Sequence, residues 1–150
     1  MSILFISDLH LSPEREPANR LFETFLGGPA RGAQALYILG DLFEYWAGDD
    51  DLSSPFNRRI CSALRGLGAS VPTYFMAGNR DFLIGDGFAE LTRVRLLGDI
   101  EQVIVHGVRT LLMHGDTLCT EDIAYQGFRA QVRTPGWRTE FLALPLDERR

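Results

Sequence analysis

The chain has 150 residues, 45% of them hydrophobic, which favours one sizeable core and predicts one domain, or one domain with part of a second. Its net charge of −5 argues against a general nucleic-acid binder, because such proteins need a basic face. All 15 basic residues are Arg, and the absence of Lys excludes both a P-loop and Schiff-base chemistry.

The two cysteines, Cys61 and Cys119, are far apart in the sequence. Their spacing indicates neither a disulfide framework nor a thiolate zinc site, and it fits a reducing compartment. The first predicted strand begins at residue 3, and no apolar run reaches the length of a membrane span. We therefore expect no signal peptide and a cytoplasmic protein.

Strands and helices alternate along the first part of the chain, which predicts βαβ units and a parallel sheet. The first strand reads as buried on both faces, since it is a short run of β-branched and aromatic residues. The predicted strands are 3–6, 35–39 and 73–77, and the predicted helices are 18–26, 55–68 and a short one at 88–92.

In the second part of the chain, the alternation of strands and helices gives way to a predicted hairpin followed by helices. Segments 101–105 and 108–113 predict a β-hairpin turning at His106-Gly107. From Glu121 onward the strand pattern stops, and apolar residues at helical spacing predict two amphipathic helices, one before and one after Pro135.

Polar residues follow each predicted strand directly. Asp8 and His10 follow the first, Asp41 the second, Asn79 the third, and His114 the hairpin. In an extended chain Asp8 and His10 would lie on the same side, and parallel strands bring their carboxyl ends to one edge of the sheet. We therefore expect these side chains to meet.

Carboxylate, amide and imidazole groups together suit divalent cations. Two cations about 3.5–4 Å apart need a bridging carboxylate and separate ligands on either side. The middle strand makes Asp41 the natural bridge, with Asp8 and His10 on one cation and Asn79 and His114 on the other. Such a pair would support phosphoester hydrolysis, whereas the alternative interpretation is a capping Asp followed by a surface His.

The motifs Asp8-x-His10, Gly40-Asp41, Gly78-Asn79 and His114-Gly115 resemble those of the calcineurin-like metallophosphoesterases. The resemblance implies an α/β fold, the αββα sandwich of that superfamily, of which this chain would form the N-terminal part. It is closer still to the UDP-2,3-diacylglucosamine hydrolases of lipid A biosynthesis. The segments that carry this closer resemblance are 6–11, 37–44, Trp46, 48–50, 78–85, 112–116, 118–120, Asp122 and Tyr125.

The resemblance implies hydrolysis of the pyrophosphate bond of UDP-2,3-diacylglucosamine, which gives UMP and 2,3-diacylglucosamine 1-phosphate. It also implies two divalent metal ions, with Mn expected, and peripheral association with the cytoplasmic face of the inner membrane. By resemblance, Asp122 and Tyr125 would contact the substrate, and Asn79 and Arg80 would serve both binding and catalysis. Asp41 and His114 complete the expected catalytic set.

Arg80 stands where many superfamily members carry a His. A guanidinium group does not give up its proton usefully, so we expect Arg80 to stabilise phosphate charge rather than to act as an acid. A glycosyl phosphate is already a good leaving group, which agrees with this substitution.

The resemblance also implies a late Gly-His-x-His block that this chain does not contain. We therefore expect a truncated form, with an incomplete metallophosphoesterase core at 1–118 and the beginning of a helical lid at 119–150. Such a chain would bind metal weakly and self-associate through the incomplete lid. Two other functions stay open: another phosphoesterase of the superfamily, acting on nucleotides or phosphoproteins, and a non-catalytic scaffold.

Four further features have weaker sequence signals. Asp81 and Asp116 could orient His10 and His114, although local turn capping is an equal alternative. Trp46 is expected to be a packing anchor, and segment 49–51 a solvated loop.

Overall fold

The computed structural model describes residues 2–150 and contains a four-stranded parallel sheet whose strands follow one another in chain order. The strands are β1 (Ile3–Ile6), β2 (Ala35–Leu39), β3 (Thr73–Met76) and β4 (Arg95–Leu96), and the helices between them are α1 (Glu16–Gly27), α2 (Pro55–Gly68) and α3 (Asp86–Thr92). The predicted βαβ units are confirmed. Strand β4 was not predicted, because a strand of two residues has too short a sequence signal.

The helices begin where the sequence favours it. Pro occupies the first turn of both α1 and α2, where its missing N–H would have no partner within the helix. On α2 the residues Ile60, Leu64 and Leu67 are fully buried. Each such side chain contributes about 1.5–3 kcal/mol when it leaves water, so this apolar stripe fixes the helix against the sheet.

The opposite face of the sheet is open along an aromatic row. Phe5, Tyr37 and Tyr74 are aligned across β1, β2 and β3, with ring centroids 5.1 and 4.6 Å apart. Phe5 is 40% exposed, and β1 is an edge strand. The prediction that the first strand is buried on both faces is therefore wrong, since one face packs on helices and the other is solvated.

A separate antiparallel hairpin follows the parallel sheet. Its strands are β5 (Ile100–Val105) and β6 (Val108–Met113), as predicted to within one residue. The turn residues His106 and Gly107 have φ values of 47° and 84°, which suit the tight two-residue turn of a right-twisted hairpin. The hairpin brings His114 to the carboxyl end of the parallel sheet.

Three helices complete the chain: α4 (Ile123–Val132), α5 (Pro135–Leu142) and α6 (Leu146–Arg149). The first two confirm the prediction, and side chains of Asp122 and Thr134 cap them by accepting backbone N–H groups. Arg138 of α5 donates to the carbonyl groups of residues 82, 83 and 84, which attaches α5 to the loop after β3. Within residues 2–150, no helix has the length and apolar character needed to cross a membrane.

Candidate metal centre

Asp8, His10 and Asp41 meet at the carboxyl end of the sheet. One possible ligand atom of each lies within 4.8 Å of the others. The sequence predicted this meeting from an extended backbone at Asp8 and His10, and the prediction of an extended backbone is wrong. Strand β1 ends at Ile6, and Asp8 and His10 both adopt left-handed φ values, 56° and 50°.

The left-handed backbone is shared by all three residues, since Asp41 has a φ of 53°. For residues other than Gly, such conformations cost about 1–3 kcal/mol each and persist only where the surroundings hold them. Here the two loops hold each other: the Asp8 amide donates to Gly40 O at 3.1 Å, and the His10 amide donates to Asp41 O at 2.9 Å. This concentration of backbone strain is typical of a functional site.

Asp41 lies between the two histidines. Its buried Oδ2 is 3.8 Å from Nε2 of His10 and 3.6 Å from Nε2 of His114. Ligands at about 2.0–2.2 Å from a common cation lie about 3–4 Å apart, so each gap matches the separation of two ligands around one ion. One carboxylate oxygen therefore has a cation-sized gap towards each imidazole.

His114 is held in one tautomer. Its Nδ1 lies 2.8 Å from the carbonyl oxygen of Leu39, so this nitrogen must carry the proton and donate. In that tautomer the other ring nitrogen, Nε2, faces Oδ1 of Asn79 at 3.2 Å. Both atoms present lone pairs, and a cation between them would satisfy both.

The donor set thus fits divalent cations: two imidazole nitrogens, two carboxylates and one amide oxygen face a common region. Such mixed nitrogen and oxygen ligands suit several first-row metals, and the geometry does not single out Mn. The structure brings together all five residues that the sequence predicted as ligands, namely Asp8, His10, Asp41, Asn79 and His114.

Glu44 belongs to this region although the sequence reasoning assigned it no role. Its Oε2 lies 2.9 Å from Nδ1 of His10, and its Oε1 lies 3.6 Å from Nη1 of Arg80. The contact with His10 lacks hydrogen-bond geometry, and Nδ1 has no other partner within residues 2–150. The available sequence signal is an acidic residue inside the apolar segment 42–47, three positions after Asp41.

Asp81 does not orient His10, which corrects that alternative of the sequence analysis. It is fully buried, and its two oxygens accept the backbone N–H groups of Asp41, Leu42, Phe43 and Gly78. Burial raises the pKa of Asp81 to about 6, against the opposing effect of these amides. At neutral pH the side chain is therefore ionised and able to accept on both oxygens.

Asp116 does not orient His114 either. Its Oδ2 accepts from the hydroxyl of Tyr125 at 2.5 Å and from Nε of Arg129 at 2.7 Å. Burial alone would raise the pKa of Asp116, but these two donors outweigh it and the pKa is lowered. Burial and the bond to Asp116 together raise the pKa of Tyr125. Asp116 therefore joins the hairpin to α4.

Arg133 joins the same helix to the loop after β3. Its Nη2 donates to Gly78 O at 2.7 Å, and Nη1 donates to Asp99 at 3.1 Å. Arg129 also donates to Asp99, at 2.8 Å. Helix α4 is thus connected to both loops that carry Asn79 and His114.

A cleft of about 460 Å³ opens beside Asn79 and Arg80. It is lined by Tyr45, Asn79, Arg80, Phe82, Leu83, Tyr125, Phe128, Trp137 and Phe141. A larger groove of about 820 Å³ lies along α2 and α3 and contains none of the predicted ligands. The smaller cleft borders Asn79, and a further cavity of about 500 Å³ borders Asp8 on the side of α1.

The remaining predicted site residues, Arg80, Asp122 and Tyr125, lie outside the cluster of predicted ligands. The Arg80 amide donates to Oδ1 of Asp41 at 2.9 Å, while its guanidinium group is half exposed at the cleft. Tyr125 lines the cleft, and the exposed Asp122 uses its carboxylate to cap α4 at the Tyr125 amide, 3.0 Å away. A substrate contact for Asp122 and Tyr125 stays a prediction.

The loop after Asp41 makes more contacts with the rest of the chain than the sequence predicted. Trp46 is buried against Phe43 and Phe88, which confirms its packing role. Segment 49–51 is not a solvated loop: Asp49 accepts the amides at the start of α3, and Asp50 and Asp51 pair with the two C-terminal arginines. These contacts come from distant parts of the chain.

Comparisons with known proteins identify relatives of this chain. A UDP-2,3-diacylglucosamine hydrolase of Aromatoleum aromaticum is 51% identical over 151 residues, which cover 100% of this chain and 61% of that protein. One from Xanthomonas oryzae pv. oryzae is 52% identical over 150 residues, which cover 99% and 60%. The chain therefore spans about three fifths of the length of these curated relatives.

A solved structure of Yfce, a phosphoesterase from E. coli, is 25% identical, with a TM-score of 0.48 over 78% of this chain and 59% of that chain. The family model described as calcineurin-like phosphoesterase matches residues 1–148. That match covers nearly the whole chain, and its family name, Metallophos, implies divalent metal ions. The chain belongs to the calcineurin-like phosphoesterase family.

Proposed function

We propose that the residues at the strand ends bind two divalent cations and that the site hydrolyses the pyrophosphate bond of UDP-2,3-diacylglucosamine. The products would be UMP and 2,3-diacylglucosamine 1-phosphate. The observation that carries the metal assignment is the position of Asp41 Oδ2, 3.8 and 3.6 Å from the two imidazole Nε2 atoms. The names of the relatives carry the choice of substrate.

Each ligand has a proposed place. Asp8 and His10 hold one cation, Asn79 and His114 hold the other, and Asp41 serves both. When bound, such a cation pair lowers the pKa of a water molecule and neutralises charge on the phosphoryl oxygens. The neutral amide of Asn79 keeps the negative charge of the site low, which favours an anionic substrate.

Arg80 has the proposed role of holding the diphosphate. Its guanidinium group is half exposed at the cleft, and its weak contact with Glu44 at 3.6 Å leaves donors available. A planar guanidinium can pair with two phosphate oxygens at once. Arg80 would therefore orient the substrate and stabilise charge without transferring a proton.

The aromatic cleft has the proposed role of receiving the sugar and the start of the acyl chains. Phe82, Phe128 and Trp137 supply an apolar wall, and Tyr125 is hydrogen-bonded to Asp116, which follows the hairpin. We place the metallophosphoesterase core at 1–118 and the helical lid at 119–150. Arg129 and Arg133 connect the lid to the core through Asp116 and Gly78.

Three finer points belong to the same proposal. We propose Mn as the metal, since hard carboxylate and amide oxygens together with imidazole accept it. A lipidated substrate implies that the protein associates peripherally with the cytoplasmic face of a membrane. Self-association through the lid is supported by the exposed Ile123 and Phe128.

The test is a chimera. The curated relative from Escherichia coli O9:H4 is 52% identical over 147 residues, which form 61% of its length. Replacing that segment by the present chain tests these residues within a full-length protein. We expect Mn-dependent release of UMP from UDP-2,3-diacylglucosamine, and loss of this activity when Asp41 is replaced by Ala.

The same chimera distinguishes the alternatives. Dinucleotides and a phosphopeptide are offered in parallel with the lipidated UDP-sugar. Faster hydrolysis of either would replace the proposed substrate while keeping the metal site. Tight Mn binding without hydrolysis of any of them would favour a scaffold.

A further inference from the structure

The loops after β2 and β3 approach each other unusually closely. A Cβ atom on Gly78 would lie 2.1 Å from Oδ1 of Asp41 and 2.5 Å from its backbone nitrogen. No side chain fits into that space. The two loops therefore touch backbone to backbone where one presents Asp41 and the other presents Asn79.

One buried carboxylate connects these loops. Oδ1 of Asp81 accepts the Gly78 amide at 2.9 Å and the Asp41 amide at 3.2 Å. Oδ2 accepts the Leu42 amide at 2.8 Å and the Phe43 amide at 3.3 Å. Asp81 is 0% exposed, so each of these N–H groups would be buried without a partner if the carboxylate were removed.

Asp41, whose backbone is strained, is among the residues that the Asp81 carboxylate holds. Asp41 has a left-handed φ of 53°, and its amide and the next two all point at the Asp81 carboxylate. Three successive N–H groups can converge on one acceptor only when the chain turns sharply. The carboxylate thus stabilises the turn that directs the Asp41 side chain towards the two histidines.

We propose that Asp81 is a positioning residue that fixes Asp41 and Asn79 at the separation needed to share a cation. It makes no contact with the cation itself and acts through the backbone of both loops. This inference rests on the proposed metal site and deepens it. It differs from a purely structural role, because it requires metal affinity to depend on Asp81 beyond the general stability of the fold.

A matched control exists in Asp49. Its carboxylate also accepts two backbone amides from a distant segment, those of Gly85 and Phe88, and the N–H of Trp46. These bonds tie the loop to the start of α3 rather than to the predicted ligands. Asp49→Asn should therefore cost stability of a similar kind without changing the ligand geometry.

The experiment compares Asp81→Asn, Asp49→Asn and the unsubstituted 150-residue chain. Thermal unfolding of the metal-free proteins reports stability, and Mn²⁺ titration by calorimetry, well below each midpoint, reports affinity. We expect both variants to unfold at lower temperature but only Asp81→Asn to lose Mn²⁺ affinity, by about 10–100-fold. Equal affinity in all three proteins, or an equal loss in both variants, would overturn the positioning role.

Amide hydrogen exchange of the unsubstituted chain supplies a measurement that does not depend on a variant folding. We expect the amides of Asp41, Leu42, Phe43 and Gly78 to be protected without metal, because Asp81 already holds them. Fast exchange that slows only on adding Mn²⁺ would mean that the cation orders the loops, which overturns the proposal. Failure of the metal site itself would appear separately, as Mn²⁺ binding that Asp41→Ala leaves unchanged.

Discussion

Glu44 Oε2 lies 2.9 Å from Nδ1 of His10, whose other ring nitrogen, Nε2, lies 3.8 Å from Asp41. A carboxylate beside the far nitrogen of a ligating imidazole fixes the tautomer and the ring orientation. Glu44 lies close enough to His10 for this role, although the contact lacks hydrogen-bond geometry in this structure, and we expect it to direct Nε2 of His10 towards the proposed cation.

The first prediction concerns the variant Glu44→Gln. We expect the Mn²⁺ dissociation constant to rise by about tenfold or more, since the amide holds the His10 tautomer less well. Calorimetric titration measures this change. The control is Glu14→Gln, which removes the same charge from the neighbouring loop. An equal rise in the dissociation constant for Glu14→Gln would mean that Glu44 acts only through the net charge of the protein.

The second prediction replaces Arg80 by Lys in the chimera with the E. coli relative. Lys keeps the charge but loses the planar pair of donors, so kcat should fall by about 10²–10³ while bound metal stays constant. Steady-state kinetics and metal analysis of the same preparation provide the two readouts. Turnover close to that of the parent chimera would assign Arg80 a structural role.

A third prediction concerns acid stability at a distance from the site. Arg59 bonds to Glu16 at 2.8 Å and to Glu23 at 2.7 Å, and these bonds lower the pKa of Glu16 from 4.5 to about 2 and also lower that of Glu23. A carboxyl group with a lowered folded-state pKa stabilises the fold above its unfolded-state pKa, and this contribution is lost as the pH falls through the folded value.

Arg59→Gln should therefore flatten the dependence of stability on pH between about 4.5 and 2, with little change in its shape above pH 5. Urea unfolding at several pH values measures this. Arg31→Gln on the surface serves as a control. An unchanged profile for Arg59→Gln would show that these ion pairs are screened by solvent.

The fourth prediction concerns association. Ile123 and Phe128 of α4 are 81% and 53% exposed, and apolar patches of this kind drive contacts between proteins. We expect the 150-residue chain to sediment as a concentration-dependent oligomer and the double variant Ile123→Ser, Phe128→Ser to shift towards monomer. A parent that remains monomeric at high concentration would contradict association through the lid.

The sequence is informative about the site because its signals are local. A buried apolar run followed by Asp41 or Asn79 indicates both the strand and the position of the predicted ligand, and parallel pairing then brings the strand ends together. The hairpin turn at His106-Gly107 and the packing of Trp46 are local in the same sense. These features were predicted from a few neighbouring residues.

The rest depends on contacts between distant residues. Nothing near Asp81 in the sequence indicates that it accepts amides from a loop about 40 residues earlier. Asp116 likewise binds Tyr125 and Arg129 of α4 instead of the adjacent His114. Composition alone also cannot reveal that Phe5 lies on an open face, since burial depends on which elements cover the strand.

The central claim is that two cations share the carboxylate of Asp41. Low-temperature EPR of the 150-residue chain with saturating Mn²⁺ tests it most directly, because two Mn²⁺ ions about 3.5–4 Å apart couple magnetically. We predict a spin-coupled spectrum for the unsubstituted chain that Asp41→Ala abolishes. A purely mononuclear spectrum for the unsubstituted chain, or coupling that survives Asp41→Ala, would contradict the shared carboxylate.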